Sequence, residues 1–431
     1  MAIAARFDLE LIQYDAVNAF VHAKLDENIC MKMPQGYRKP GTILKLNRAL
    51  YGLRRSPILW QKTFYSSLIE IGFTPVPHEP CCLIHNGILI FFYVDDIVVA
   101  YKKDREPLVQ KMLQKLKQRF NLDGGDELQW FLGIRVIRDR EKRLIWLSQS
   151  TYIDKIANLA TSSQPDATPM THDELRPYED RASYSEINLY QRKIGSLLYA
   201  AVTTRPDIAF ATSRLSRFLT NPGPQHHAAA DRVLLYLKRY RDFGLQLGGG
   251  DNFVVASDAS FADNTADRKS SQAYAMKLFN GLIGWRANKQ DTVTTSTTES
   301  ELLALSQAAK EGQYIGRLLK ELTVKLDDHR IHIQCDNIQT IRLVNEDITR
   351  LQTKLRHVDI HNHWLRQEAC QGRINVVYVK SQDMIADGLT KALPAEGLRR
   401  FRDQIGLVNI GERLKDHQDN EKDPYEDLFA E

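Results

Sequence analysis

The sequence predicts an α+β protein, α/β in the broad sense. A sheet with helices opens the chain, a helical stretch follows, and a second αβ segment closes it. Three observations carry this reading. Strand-length apolar runs alternate with helical periodicity up to residue 120. Residues 190–244 read as helix, broken at TTRPD and TNPGPQ. After GLQLGGGDN, strand and helix patterns alternate again over 252–393.

The 431 residues suffice for two or three domains. Hydrophobic residues make up 43% and charged residues 26%, a globular balance that excludes a collagen-like or disordered chain. A net charge of +4 and a pI near 8.6 suit a nucleic-acid partner without requiring one. The five cysteines are odd in number and lack C-x-x-C spacing, which points to a reduced, intracellular setting. MAIAARFDLELIQYD lacks the basic-then-apolar layout of a signal peptide, so a cytoplasmic, non-secreted protein is expected. The apolar runs fall short of the roughly 18 residues of a membrane span, and no membrane partner is expected.

Taken in order, LELIQYDAVNAF within residues 6–22 is strand-like, and a helix begins near Ser56 with Pro57 in its first turn. Asn86-Gly87 marks a turn before two apolar runs, GILIFFY and DIVVAY. Residues 105–120 place Leu108, Met112, Leu116 and Phe120 on one face of a lysine-rich amphipathic helix. A hairpin turning at DREK follows, then a polar, proline-bearing stretch over 161–185. The last αβ segment reads as strands near 253–258, 272–279 and 331–335 and a helix near 298–320. These patterns divide the chain at 1–104, 105–250, 251–395 and 396–431, the last a charged tail expected to lack fixed structure.

Two aspartates, Asp95 and Asp96, interrupt the apolar run GILIFFYVDDIVVAY. Neighbouring residues on a strand face opposite ways, and burying two like charges is costly. A hairpin turning at VDD instead presents both at its mouth. Close carboxylates repel and hold a proton unless a cation joins them, and Mg²⁺ is the natural cation where phosphates also meet. Asp15, closing the strand LELIQY, is the candidate third ligand. The alternative is ordinary solvent-exposed turn chemistry.

The context resembles the palm of a reverse transcriptase. QYDAVNAFVHAKLDENICMKMPQGY, LKLNRALYGLRRSPILWQKTF and YVDD are similar, in order, to motifs of copia-type long-terminal-repeat retrotransposon polymerases. FLGI, YIDKI and YQRKIGSLLYAAVTTRPDIAFATSRLSRF continue the resemblance through thumb and connection, up to about residue 395 in all. It implies a palm at 1–104, thumb and connection at 105–250, and Asp15, Asp95 and Asp96 as ligands of two Mg²⁺ ions about 3.5–4 Å apart. The implied partners are primer-template nucleic acid and dNTP. Phe20 falls where the family places a bulky residue under the incoming sugar; an ordinary core aromatic is the alternative.

A second set of acids sits at element ends: Asp258 in VVASDASF, Glu299 in TSTTESELLALS, Asp336 in IHIQCDN and Asp387 in DMIADGLTK. Singly, each reads as a cap or surface residue. As an ordered set they resemble ribonuclease H in its copia-type version, at 251–395. The resemblance implies RNA-strand hydrolysis in RNA–DNA hybrids with two Mg²⁺ ions, Mn²⁺ being the substitute. His357, His361 and His363 have no closed zinc spacing and read as helix-surface histidines. Lys102, Lys103, Lys111, Lys115, Lys117 and Arg119 form one basic cluster, and Arg232, Lys238, Arg239 and Arg241 another. Each is a phosphate track or a solvated helix face.

The sequence departs from the family in two places. Only fourteen residues precede Asp15, so the expectation is that the fingers are missing and polymerase activity is impaired. Gln272-Ala273 stands where Ser-Gly or Thr-Gly is usual. The competing reading is a non-catalytic nucleic-acid-binding remnant of the element. The family also implies a particle-associated cytoplasmic protein with access to the nucleus. The oligomeric state stays open.

Overall fold

The computed structural model describes residues 1–161, 167–346, 353 and 355–416. It divides into two units: Phe7–Leu132 with Glu321–Thr323, and Met1–Arg6 with Gly133–Lys320 and the residues from Val324 on. The divisions drawn from sequence at 104 and 250 each fall inside one of these units.

The chain opens with a short helix, α1 (Ala2–Phe7). In the Phe7–Leu132 unit, β1 (Glu10–Ala16) is followed by a small ribbon of β2 (Cys30–Lys32) and β3 (Ile43–Lys45). Helix α2 (Ser56–Ile71) comes next, with Pro57 in its first turn and Gly72 in the left-handed region at its end. Strands β4 (Thr74–Val76), β5 (Glu79–His85), β6 (Ile88–Tyr93) and β7 (Asp96–Tyr101) then meander to helix α3 (Glu106–Lys117) and β8 (Leu122–Glu127). The resulting antiparallel sheet runs β4-β5-β6-β7-β1-β8. Asn86 and Gly87 both take positive φ between β5 and β6, as a two-residue hairpin turn requires. Trp60, Phe64 and Leu68 of α2 pack with Met112 and Leu116 of α3 against Phe92, Ile97 and Val99 of the sheet. That core holds β1 and β7 side by side, which positions the first acids.

A two-residue strand, β9 (Trp130–Phe131), precedes the expected hairpin of β10 (Ile134–Asp139) and β11 (Leu144–Ser148), which turns at DREK. Helices α4 (Ser150–Ala157), α5 (Tyr184–Thr203), α6 (Ala209–Leu215) and α7 (Pro224–Arg239) follow. Two buried ion pairs lie among them. Lys193 meets Asp231, and Arg205 holds Asp207 with two bonds of 2.9 and 2.7 Å while Tyr236 donates to the same carboxylate. The arginine of TTRPD is therefore a packing element. After α7, β12 (Phe243–Leu247) joins β11.

The C-terminal sheet is built from β13 (Phe253–Ser260), β14 (Ser271–Leu278), β15 (Gly281–Lys289), β16 (Ile331–Cys335) and β17 (Ile374–Tyr378), in the order β15-β14-β13-β16-β17. The first three are antiparallel; β13, β16 and β17 are parallel. Strand β15 escaped the sequence reading because GLIGWRANK has glycines and no alternation. The long helix α8 (Thr297–Glu321) crosses the sheet, with α9 (Ile338–Asn345) and α10 (Arg356–Cys370) between β16 and β17. A Cβ on Gly312 would lie 2.8 Å from Ile331, so only glycine lets α8 approach this closely.

The tail needs correction. Residues 396–416 are structured: α11 (Ala395–Ile405) buries Leu398, Phe401 and Ile405, β18 (Leu407–Asn409) pairs with β12, and α12 (Gly411–Asp416) follows. Most charged residues of α11 lie on the outer face of an amphipathic helix, Arg402 being buried over Tyr240 and Phe243, and composition alone reads such a stretch as disorder. The remainder of that expectation, 417–431, lies outside the described residues, as do 162–166 of the polar stretch.

Candidate active sites

Strand β7 begins at Asp96, directly opposite Asp15 of β1 in the antiparallel register. Val94 and Asp95 form the two-residue turn from β6, since Tyr93 pairs with Asp96. Val94 has φ 56°, a strained conformation for a β-branched residue. Two bonds hold the turn: Trp60 Nε1 donates to the Val94 carbonyl at 2.5 Å, and Ala16 N donates to the Asp95 carbonyl at 2.9 Å. Asp96 is buried and accepts from Gln13 Nε2 at 3.2 Å, while Asp95 is half-buried. On the other side of β1, Asp123 of β8 pairs with Asp15. Burial, then Asp95, Asp96 and Asp123, push the Asp15 carboxyl up to about 6, although the residue as a whole is exposed. Phe20 is buried, with its ring centroid 4.5 Å from that of Tyr51. Burial, followed by Asp95 and Asp15, raises the Tyr51 phenol above its ordinary pKa.

In the C-terminal sheet, Asp258 lies on β13, Asp336 just past β16, and Asp387 on a short 3₁₀ turn (Ile385–Leu389). One carboxylate oxygen from each lies within 4.8 Å of the others, a separation that can hold a metal; among the described residues these three form the one such group. Asp258 is buried, and its carboxyl rises to about 7, chiefly through burial and then through Asp387. Thr390 Oγ1 donates to Asp258 Oδ2, Ser381 Oγ donates to Asp336 Oδ2 at 2.6 Å, and Lys391 Nζ lies 2.7 Å from Asp387 Oδ2.

A fourth acid joins them, and it is Glu301. Its carboxyl is raised well above the ordinary range, first by burial and then by Asp258, Asp336 and Asp387. Glu301 Oε1 accepts weakly from Ala259 N at 3.4 Å, while Glu301 Oε2 and Asp387 Oδ1 are buried without a hydrogen-bond partner. Buried unpaired oxygens on crowded carboxylates fit a hard divalent cation such as Mg²⁺ or Mn²⁺.

Residues 1–172 match the reverse transcriptase (RNA-dependent DNA polymerase) family. A retrovirus-related Pol polyprotein from transposon TNT 1-94 of Nicotiana tabacum is 31% identical, over 94% of this chain and 32% of its own length. A putative transposon Ty5-1 protein of Saccharomyces cerevisiae is 30% identical, over 69% of this chain and 99% of its own length. The chain belongs to the copia-type retrotransposon Pol family. It spans 27–32% of the length of the first curated Pol polyproteins it matches. This copia-type Pol segment carries a reverse transcriptase region over residues 1–172. A solved structure, LC11-RNase H1 in complex with RNA/DNA hybrid, is similar to it at 14% identity and a TM-score of 0.25, covering 32% of this chain and 93% of that one.

In the copia-type Pol segment, six of the seven acids picked from sequence stand in the two groups described. Glu299 does not. It caps the start of α8, accepting from Thr295 N at 2.6 Å, Thr295 Oγ1 at 2.7 Å and Thr353 Oγ1. Burial works to raise the Glu299 carboxyl, but these bonds outweigh it and leave the pKa lowered. The reason is helical geometry. Residues two apart on a helix point about 200° away from each other, so Glu299 and Glu301 cannot share a face. The signal was in the sequence: Glu301 lies in line with Leu305 and Ala308, the stripe that α8 buries.

Sequence reading also missed Tyr51, Thr390 and Lys391, whose neighbours are set only by the fold. Gln272, one half of the Gln-Ala departure, bonds Gln307 at 2.7 Å and Gln290 at 3.1 Å. A cleft of about 490 Å³ opens beside Thr390 and Lys391, between Arg214, Arg217 and Phe218 on one side and Asp263 and Lys289 on the other. Arg214 pairs with Asp263 at 3.0 Å and Lys289 with Asp267 at 2.7 Å. Arg217 bonds Asn264 Oδ1 and has no carboxylate in ion-pair range among the described residues. In the basic clusters, Arg119 pairs with Glu70, Arg232 bonds the Thr168 carbonyl, and Arg241 pairs with Asp154. Lys102, Lys103, Lys111, Lys115 and Lys117, with Lys238 and Arg239, remain exposed. No helix among the described residues is long and apolar enough to cross a membrane.

Proposed function

We propose that this chain hydrolyses the RNA strand of RNA–DNA hybrids at Asp258, Glu301, Asp336 and Asp387, and that Asp15, Asp95 and Asp96 serve templated DNA synthesis from dNTPs. The observation that carries the nuclease reading is the meeting of Asp258, Asp336 and Asp387 within 4.8 Å, with Glu301 raised by all three. Asp258, Glu301, Asp336 and Asp387 would hold Mg²⁺, which would supply activation of a water and stabilisation of the departing oxygen; Asp15, Asp95 and Asp96 would hold Mg²⁺ for the primer hydroxyl. The chain's own part is orientation. Thr390 fixes Asp258, Ser381 fixes Asp336 and Lys391 fixes Asp387, so each carboxylate keeps an aim before substrate arrives. At the palm, Trp60 and Ala16 hold the Val94–Asp95 turn against Asp15. Phe20 and Tyr51 form an aromatic floor beside these acids, suited to an incoming sugar.

The test is cleavage of a labelled RNA–DNA hybrid with Mg²⁺ by the full chain and by Asp336→Asn. Cleavage by the parent alone is the expected result. Binding without cleavage by either protein would overturn the nuclease reading and leave a protein that only holds nucleic acid. Primer extension by the parent against Asp95→Asn tests the palm separately.

A further inference from the structure

Four acids crowd the nuclease cluster, and among the described residues one cation bonds them. Lys391 Nζ lies 2.7 Å from Asp387 Oδ2. Its ammonium also feels Asp258 and Asp336; burial works against its charge, yet the three acids together hold its pKa above the ordinary value. The other side chains that bond this group, Thr390 and Ser381, are neutral donors. Two carboxylate oxygens of the group are left buried and unpaired: Asp387 Oδ1, on the acid that Lys391 bonds, and Glu301 Oε2. Lys391 is only about half exposed, one turn beyond Asp387, and its stem lines the adjoining cleft. A flexible four-carbon stem lets an ammonium swing out into that cleft when a stronger cation enters.

We propose that Lys391 is the resident counter-ion of the nuclease carboxylates, holding them together while lowering their affinity for the divalent ion. The inference rests on reading these acids as a metal site. Lys391 touches Asp387 and acts through it, so it is a positioning residue. Its positive charge opposes an arriving dication, and its bond to Asp387 Oδ2 leaves Oδ1 as the oxygen on offer. Electrostatic restraint of this kind shifts metal loading to higher concentration, so that occupancy follows the supply of metal or of metal-bearing substrate.

The experiment is Mn²⁺ binding to the full chain by electron paramagnetic resonance, without nucleic acid. Asp336→Asn identifies the nuclease site as the binding it abolishes. Lys391→Met and Lys391→Gln are expected to tighten that site by roughly three- to tenfold, the range of a partly exposed ion pair. Both are also expected to melt earlier than the parent without metal. Lys391→Arg, which keeps the charge, should bind as the parent does. Unchanged or weaker Mn²⁺ binding in both neutral variants would overturn the inference, since a purely structural lysine loses affinity and stability together. A parent with no Mn²⁺ site sensitive to Asp336→Asn would instead overturn the metal-site reading beneath it.

Discussion

The two glutamates of TTESELL are the sharpest distinction at the scale of single residues. Glu301→Gln is expected to lower hybrid cleavage by roughly 100-fold or more, because the group faces the other carboxylates. Glu299→Gln should leave cleavage largely intact while lowering stability by about 1 kcal/mol, the usual loss at a helix start. Equal losses of cleavage in both variants would contradict the assignment. Arg217 offers a second test. Arg217→Ala is expected to weaken hybrid binding and to reduce the salt dependence of that binding by about one ionic contact. A titration at several salt concentrations reads both. Asp15, Asp95, Asp96, Asp258, Asp336 and Asp387 lie on or beside strands, a turn or a short 3₁₀ segment, positions that sequence marks well. Glu299 was mistaken for Glu301 because the choice depends on which helix face meets the sheet, and a motif does not record that.

Helix α7 shows how an element can carry a pH response. His226 is buried at its start; Gly223 N donates to Nδ1 at 2.8 Å, and Nε2 lies 3.0 Å from the Arg176 carbonyl. The ring is therefore neutral with its proton on Nε2, stacked on Phe218 at 3.9 Å. Burial lowers its pKa below the ordinary value of 6.5, helped by His227 and opposed by the bond to Arg176. As pH falls below about 6.5 the unfolded chain takes a proton that the folded one resists, so stability is lost. Asp258 and Asp15 run the other way. Their folded pKa values, about 7 and about 6, lie above the unfolded ones, so acid relieves a strain present at neutral pH. The melting temperature of His226→Gln should accordingly fall less than the parent's between pH 7.5 and 5.5. A parallel fall would show that His226 is not the group responsible. Elements with clean periodicity, such as α2 and the β6–β7 hairpin, were readable from sequence. Strand β15 and helix α11 were not, because the first lacks alternation and the second hides its apolar stripe among charges.

Across the whole chain, the motifs and their order were legible in the sequence, while sheet membership depends on pairing between strands far apart in the chain. The hairpin β10–β11 follows the palm in sequence yet belongs to the sheet that β12 and β18 complete. That closure makes residues 396–416 structural. A chain stopped at residue 395 loses the buried Leu398, Phe401, Ile405 and Leu407, each worth about 1.5–3 kcal/mol. Their sum is comparable to the whole stability of an ordinary domain, so the shortened chain is expected to be insoluble or protease-sensitive, while one ending at residue 416 folds. Limited proteolysis distinguishes the two. The same pairing of Phe243 with Asn409 bears on biosynthesis. The strand at 243–247 leaves the ribosome well before its partner exists, and the entire C-terminal sheet must be made in between. Until then one edge of β12 stays open, ready to pair with any neighbouring strand. A nascent copy of this chain therefore has a vulnerable interval, which ends when Leu407–Asn409 has been made and can pair.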